Sequence, residues 1–164
     1  MTRLSEIEQE YIRAIESEKQ GDYSRAVELY SGMTERFPGD SRGWTGLANI
    51  YFSRIGDLGR SEEFFTKAID TGNAGPETYF LFSELLMQQG RFPEMNAVVN
   101  QAMQITGVNK STGFYKTGLL KESQGNYEDA VEFYRKAILD SFSAEEIRQA
   151  EQSIDRCRVK MKYS

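Results

Sequence analysis

Histidine is missing altogether from this sequence, and cysteine occurs once, at Cys157. The first absence removes the commonest metal ligand and the commonest general base near neutral pH; the second excludes an internal disulfide. No metal and no cofactor is expected. Long apolar runs are missing too. The most apolar stretch, residues 79–87, is broken by Ser83 and Glu84 and falls far short of the ~20 residues of a membrane helix, so no membrane insertion is expected. Basic charge is not in excess: 20 Lys and Arg stand against 25 Asp and Glu, a net of -5, which argues against nucleic acid as a partner. The opening residues Met-Thr-Arg-Leu-Ser-Glu-Ile-Glu-Gln-Glu place carboxylates where an export signal carries its apolar segment. A chain whose leader had been removed would read the same, so a cytoplasmic location is the default expectation. The sequon-like Asn109-Lys110-Ser111 reads more simply as turn and helix-cap residues.

What the chain does have is 39% hydrophobic residues, enough for a core in a chain of 164 residues, and an internal repeat. Four turns share one signature: Gly21-Asp22-Tyr23, Gly56-Asp57-Leu58, Gly90-Arg91-Phe92 and Gly125-Asn126-Tyr127, spaced 35, 34 and 35 residues apart. Each glycine can end one helix in the left-handed conformation, and Asp22, Asp57 or Asn126 can cap the next. Pro93 fits the first turn of the helix that follows. After each turn a residue recurs with its i+4 and i+7 neighbours: Ala26/Tyr30/Met33, Ser61/Phe65/Ala68, Met95/Val99/Ala102 and Ala130/Tyr134/Ala137. These offsets lie on one helical face and are expected to be core.

Before the turns the clearest copy is Trp44-Thr-Gly-Leu47-Ala48-Asn-Ile-Tyr51, with small Ala48 at the point of closest helix approach and Trp44 expected to be buried. This segment resembles the first helix of a tetratricopeptide repeat, whose pattern is Trp-x2-Leu-Gly-x2-Tyr, then Ala-x3-Phe, then Pro. Tyr79, Phe82, Ser83 and Leu86 keep the face in the third copy, and Phe114 and Gly118 in the fourth, where Thr117 and Lys121 depart from it. In the first copy Leu4, Ile7, Tyr11, Ala14 and Ile15 make a face, with Glu10 and Arg13 at positions expected to be apolar. The second copy carries one extra residue near Ile55, and the closing proline survives only as Pro38.

The resemblance implies an all-α, right-handed superhelical solenoid of four helix-turn-helix repeats, at about residues 5–40, 41–75, 76–110 and 111–142 of a single domain spanning 1–164. Ser143-Ala-Glu-Glu146 is a capping box, and Ile147, Ala150, Ile154, Cys157 and Met161 make an apolar seam, so residues 143–162 are expected to form a C-terminal capping helix. Arg148, Arg156, Arg158, Lys160 and Lys162 are expected on its outer side.

No catalytic residues stand out. Glu62/Glu63 and Glu145/Glu146 are neighbours on helices and cannot aim at one substrate atom, while Cys157 has no histidine to activate it. The chain is not expected to be an enzyme. Function must come from surface, and the helical wheel picks out a stripe: Arg42, Thr45, Asn49 and Phe52; Glu77, Phe80, Glu84 and Met87; Thr112, Tyr115, Leu119 and Glu122. In the family resembled, first helices line a concave groove holding a partner's extended or helical segment. The stripe is therefore the expected peptide-binding groove, with Phe80 and Tyr115 as aromatic anchors and Glu77, Glu84 and Glu122 favouring a ligand with some basic residues. Family members that clamp acidic tails do so with Lys and Asn; only Arg42, Asn49 and Lys116 resemble that set, so such a role is disfavoured. The partner is another protein or peptide, or, as the alternative, an element of a second copy in a self-assembling scaffold.

Overall fold

A computed structural model describes residues 5–164; Leu4, assigned above to the first apolar face, lies outside the described residues. The described chain is helical and without strand: α1 (Glu6–Lys19), α2 (Tyr23–Arg36), α3 (Ser41–Ile50), α4 (Leu58–Asp70), α5 (Pro76–Gln88), α6 (Phe92–Met103), α7 (Lys110–Ser123), α8 (Tyr127–Asp140) and α9 (Ala144–Tyr163). Helix starts follow local chemistry. The side chains of Asp22, Asp40 and Asp57 accept the N–H of Arg25, Arg42 and Arg60, and the Ser143 hydroxyl accepts that of Glu146. Ser5 and Glu8 form a reciprocal box that sequence inspection passed over. Asn126 stands at the start of α8 but makes no side-chain cap bond, contrary to expectation.

The turn glycines sit at φ of 77° for Gly21, 78° for Gly56, 71° for Gly90 and 78° for Gly125, a region other residues enter only with strain. In three turns a Schellman pair closes the helix: Gly21 N–H donates to Glu18 O and Asp22 N–H to Ser17 O, with matching pairs at Gly90/Arg91 and Gly125/Asn126. The second turn differs. Gly56 and Asp57 both donate to the carbonyl of Tyr51, at 2.8 and 3.1 Å, and α3 continues as one π-helical turn over Tyr51–Ile55. That turn absorbs the extra residue noticed near Ile55, keeping the glycine at the helix end.

The chain divides into two compact units, one ending at Leu81 and one running Phe82–Ser164, with the boundary inside α5. In the first, Ala14, Ala26, Tyr30, Met33, Leu47 and Ile50 form a buried cluster ringed by Ile7, Tyr11, Tyr23 and Phe64. In the second, Ala130, Val131 and Tyr134 of α8 close on Ala150, Ile154 and Cys157 of α9, so the middle of the apolar seam of the last helix is buried while Ile147 and Met161 at its ends are partly exposed. All twelve residues of the second-helix series are buried, the polar one included: Ser61 donates its hydroxyl to Ala48 O at 2.8 Å. Small first-helix residues make room for large ones. A β-carbon on Gly118 would lie 2.6 Å from the Tyr134 ring, and one on Gly46 would collide with the Tyr30 ring.

Trp44 departs from expectation. It is half-buried rather than enclosed: its ring lies 6.1 Å from that of Phe64, Lys67 lies over it, and its N–H reaches Pro38 O at 3.0 Å. An indole with a polar edge fits such a boundary, where its N–H finds a carbonyl without full desolvation.

Candidate functional site

The stripe residues Arg42, Thr45, Asn49, Phe52, Glu77 and Phe80 lie in the first unit. Arg42, Thr45, Asn49 and Glu77 line one cavity of about 250 Å3, together with Tyr11, Ile15, Glu18, Tyr30 and Leu81. Arg42 is committed locally, since Asp40 receives its Nε at 2.9 Å and its Nη2 at 2.8 Å while its guanidinium lies 5.3 Å from the Tyr11 ring centre. Hydrogen bonding from Arg42 holds the Asp40 carboxyl below its usual range, against a smaller opposing effect of burial. Thr45 shares a hydroxyl contact of 2.9 Å with buried Thr78. Phe52 falls in the π turn and is partly exposed.

Phe80 does not fit the expected open stripe: it is buried, with 8% of its surface exposed. An aromatic on a helix between two repeats can turn either way, and here apolar burial wins over display.

The second unit contains Glu84, Met87, Thr112, Tyr115, Leu119 and Glu122. Glu84, Met87, Tyr115 and Leu119 line a cavity of about 320 Å3 with Met95, Lys116 and Gln149. Thr112 and Tyr115 border a second, of about 210 Å3, with Glu84, Lys116, Glu146 and Gln149. Tyr115 is thus shared by both. Its ring lies 5.3 Å from that of Tyr134, and its hydroxyl is 3.2 Å from that of Ser153 on α9. Lys116, buried to 7% exposure, donates to Glu84 at 2.7 Å. Glu84 therefore carries a partner already.

Glu122 is the largest departure from the expected groove. It is 8% exposed and accepts four bonds: Tyr134 OH at 2.7 Å, Arg156 Nε and Nη2 at 2.6 and 2.7 Å, and Lys160 Nζ at 2.9 Å. Burial, the largest single influence, pushes its carboxyl up, but the bonds from Arg156, Tyr134 and Lys160 and the Arg156 charge together outweigh it, leaving the group at about 2. The same contacts raise the Tyr134 phenol, burial foremost, and hold Arg156 protonated through its bond to Glu122. Arg156 and Lys160 are exposed, as expected of the outer side, yet both reach Glu122, while Arg148 and Arg158 pair on their own helix with Glu145 and Asp155. A sequence wheel places Glu122 on the stripe but is blind to the hydroxyl of Tyr134 beneath it.

The residues missed from sequence are Tyr11 and Glu18 on α1, Lys116 on α7 and Gln149 on α9. Counting back from the turn glycines would have found the first two, because they hold the positions of Tyr115 and Glu122. Among the described residues no group of three or more Cys, Asp or Glu could hold a metal ion, and no helix is long and apolar enough to cross a membrane.

Comparison with curated proteins finds no significant match in sequence. Among solved structures the fold resembles MamA, at 19% identity over 91% of this chain and 84% of that one with a TM-score of 0.73. It also resembles pilF of Pseudomonas aeruginosa, at 15% identity over 96% of this chain and 69% of that one with a TM-score of 0.84. PilW, a type IV pilus biogenesis factor, aligns at 14% identity over 97% of this chain and 78% of that one with a TM-score of 0.72. Similarity at these identities speaks to the fold alone. The sequence itself carries the family: tetratricopeptide repeat patterns match residues 13–76 and 113–139, together more than half of the chain. Paired helices with glycine turns, small-on-large packing and these two matches agree, and the chain belongs to the tetratricopeptide repeat family.

Proposed function

We propose that this chain is a non-enzymatic interaction module that binds a peptide or helix of a partner protein on the surface of its first helices. Membership of the tetratricopeptide repeat family supports a protein-interaction role. The observation that carries the finer reading is the cavity of about 320 Å3 in the second unit, which Met87, Tyr115 and Leu119 line together. Its ion pair is internally balanced, Lys116 against Glu84, so the cavity favours an apolar side chain flanked by neutral groups over a charged one. Flexible Met87 and Met95 suit an adaptable contact.

The test is capture of the partner from native extract with the parent protein and with Met87→Ala/Leu119→Ala. Loss of anchors of this kind commonly costs ~2 kcal/mol, so binding should weaken about thirtyfold; Leu119 also packs against the core of the second unit, so denaturant unfolding must show the double variant still folded at the assay temperature. Undiminished capture by a folded double variant would overturn the assignment. Mass that grows with concentration, and stops growing in the double variant, would instead give the surface to a second copy.

A further inference from the structure

The two units carry one surface twice. Tyr11, Ala14 and Glu18 stand ten, seven and three residues before Gly21, as Tyr115, Gly118 and Glu122 stand before Gly125, and Tyr30 and Tyr134 each follow their glycine by nine. Geometry repeats with sequence. The Tyr11 and Tyr30 rings are 6.4 Å apart and tilted, the Tyr115 and Tyr134 rings 5.3 Å apart and tilted. In both copies the buried tyrosine donates its hydroxyl to the glutamate, Tyr30 to Glu18 at 2.5 Å and Tyr134 to Glu122 at 2.7 Å.

The copies differ in what else the carboxylate holds. Glu122 receives Arg156 and Lys160 from α9, and Lys160 also lies 5.7 Å from the Tyr127 ring centre. In the first unit the helix packed against α2 is α3, which gives way to the π turn and ends at Gly56. Its Arg54 lies 4.7 Å from the ring of Tyr23, the residue equivalent to Tyr127, and makes no ion pair with Glu18. Among the described residues Glu18 has no cationic partner, yet it lines an open cavity of about 250 Å3 with Tyr11, Asn49 and Glu77.

We propose that this cavity receives an arginine side chain from the partner, its guanidinium meeting Glu18 as that of Arg156 meets Glu122. The volume suits one side chain, not a helix. Arg42, which also lines the cavity, is neutralised by Asp40, and Glu77 adds a second negative charge; Lys19, the remaining cation in the lining, is exposed and makes no ion pair with Glu18. A planar fork that bonds a carboxylate through two N–H groups, as Arg156 does at Glu122, favours arginine over lysine. The inference rests on the protein-binding reading and adds a point of specificity to it.

The probe is N-acetyl-arginine methylamide, titrated into isotope-labelled full-length protein and followed by amide chemical shifts, with the citrulline analogue as its uncharged control. Shifts should cluster around Glu18, Tyr30 and Asn49 for arginine and be absent for citrulline. Glu18→Gln keeps an acceptor for the Tyr30 hydroxyl while removing the charge, so it should leave the unfolding midpoint in place and weaken arginine binding by about tenfold. Shifts that ignore Glu18→Gln, that citrulline reproduces, or that never appear would each overturn the proposal. The groove reading would then still stand or fall on Met87→Ala/Leu119→Ala, which does not touch this cavity.

Discussion

Replacing Glu122 by glutamine separates its charge from its shape. The amide keeps an oxygen for the Tyr134 hydroxyl but gives up the attraction to Arg156 and Lys160, which tie α9 to α7. A carboxyl moved from 4.5 to about 2 corresponds to at most ~3–4 kcal/mol of folding stability. Arg156 and Lys160 are each 45% exposed, so solvent screens them and ~1–2 kcal/mol is the expected loss at neutral pH. The sign is fixed by the depressed value. In the unfolded chain the group titrates near 4.5 and in the folded chain near 2, so its contribution is complete above 4.5 and is lost as pH falls through 2. Denaturant unfolding of parent and Glu122→Gln at a series of pH values should give midpoints that differ at neutrality and converge in acid. Equal stability at neutrality, or a difference that persists unchanged into acid, would refute the assignment of Glu122 as the lock on the terminal helix.

Gly118→Ala pushes a methyl to within 2.6 Å of the Tyr134 ring and should cost ~1–3 kcal/mol by overpacking, read from the urea midpoint. Trp44→Ala should cost less than the ~3–5 kcal/mol of an enclosed aromatic, because the ring is half-buried; thermal unfolding measures it. Phe80→Ala, by contrast, should destabilise by ~3 kcal/mol or more, since 8% exposure makes it core; a fully stable variant would return it to the surface.

Architecture was legible because repeat proteins write the same constraints several times over. A turn needing positive φ calls for glycine at all four of Gly21, Gly56, Gly90 and Gly125, and the second-helix series buries the same three positions each time. Even the irregular second repeat left its trace in spacing, which the π turn at Tyr51–Ile55 explains. Surface was less legible. A helical wheel gives a direction for each side chain but not what stands opposite, so it shows neither the burial of Phe80 nor the bonds that Glu122 receives from α8 and α9.

The signal that would have corrected Glu122 lies in pairs of positions, not single ones. The first-helix residue three or four before the turn glycine is Glu18, Phe52, Met87 or Glu122, and the second-helix residue nine after it is Tyr30, Phe65, Val99 or Tyr134. Glutamate appears only where tyrosine does. A phenol buried to 2% exposure or less must hydrogen-bond, and the nearest first-helix position supplies an acceptor; Phe65 and Val99 need none, and Phe52 and Met87 are apolar in turn. An acceptor at this position is thus required by the core before it can serve any ligand. The other oxygen is what remains open to choice: in the last repeat the chain gives it Arg156 Nε and Lys160 Nζ, and in the first it leaves Glu18 facing a cavity.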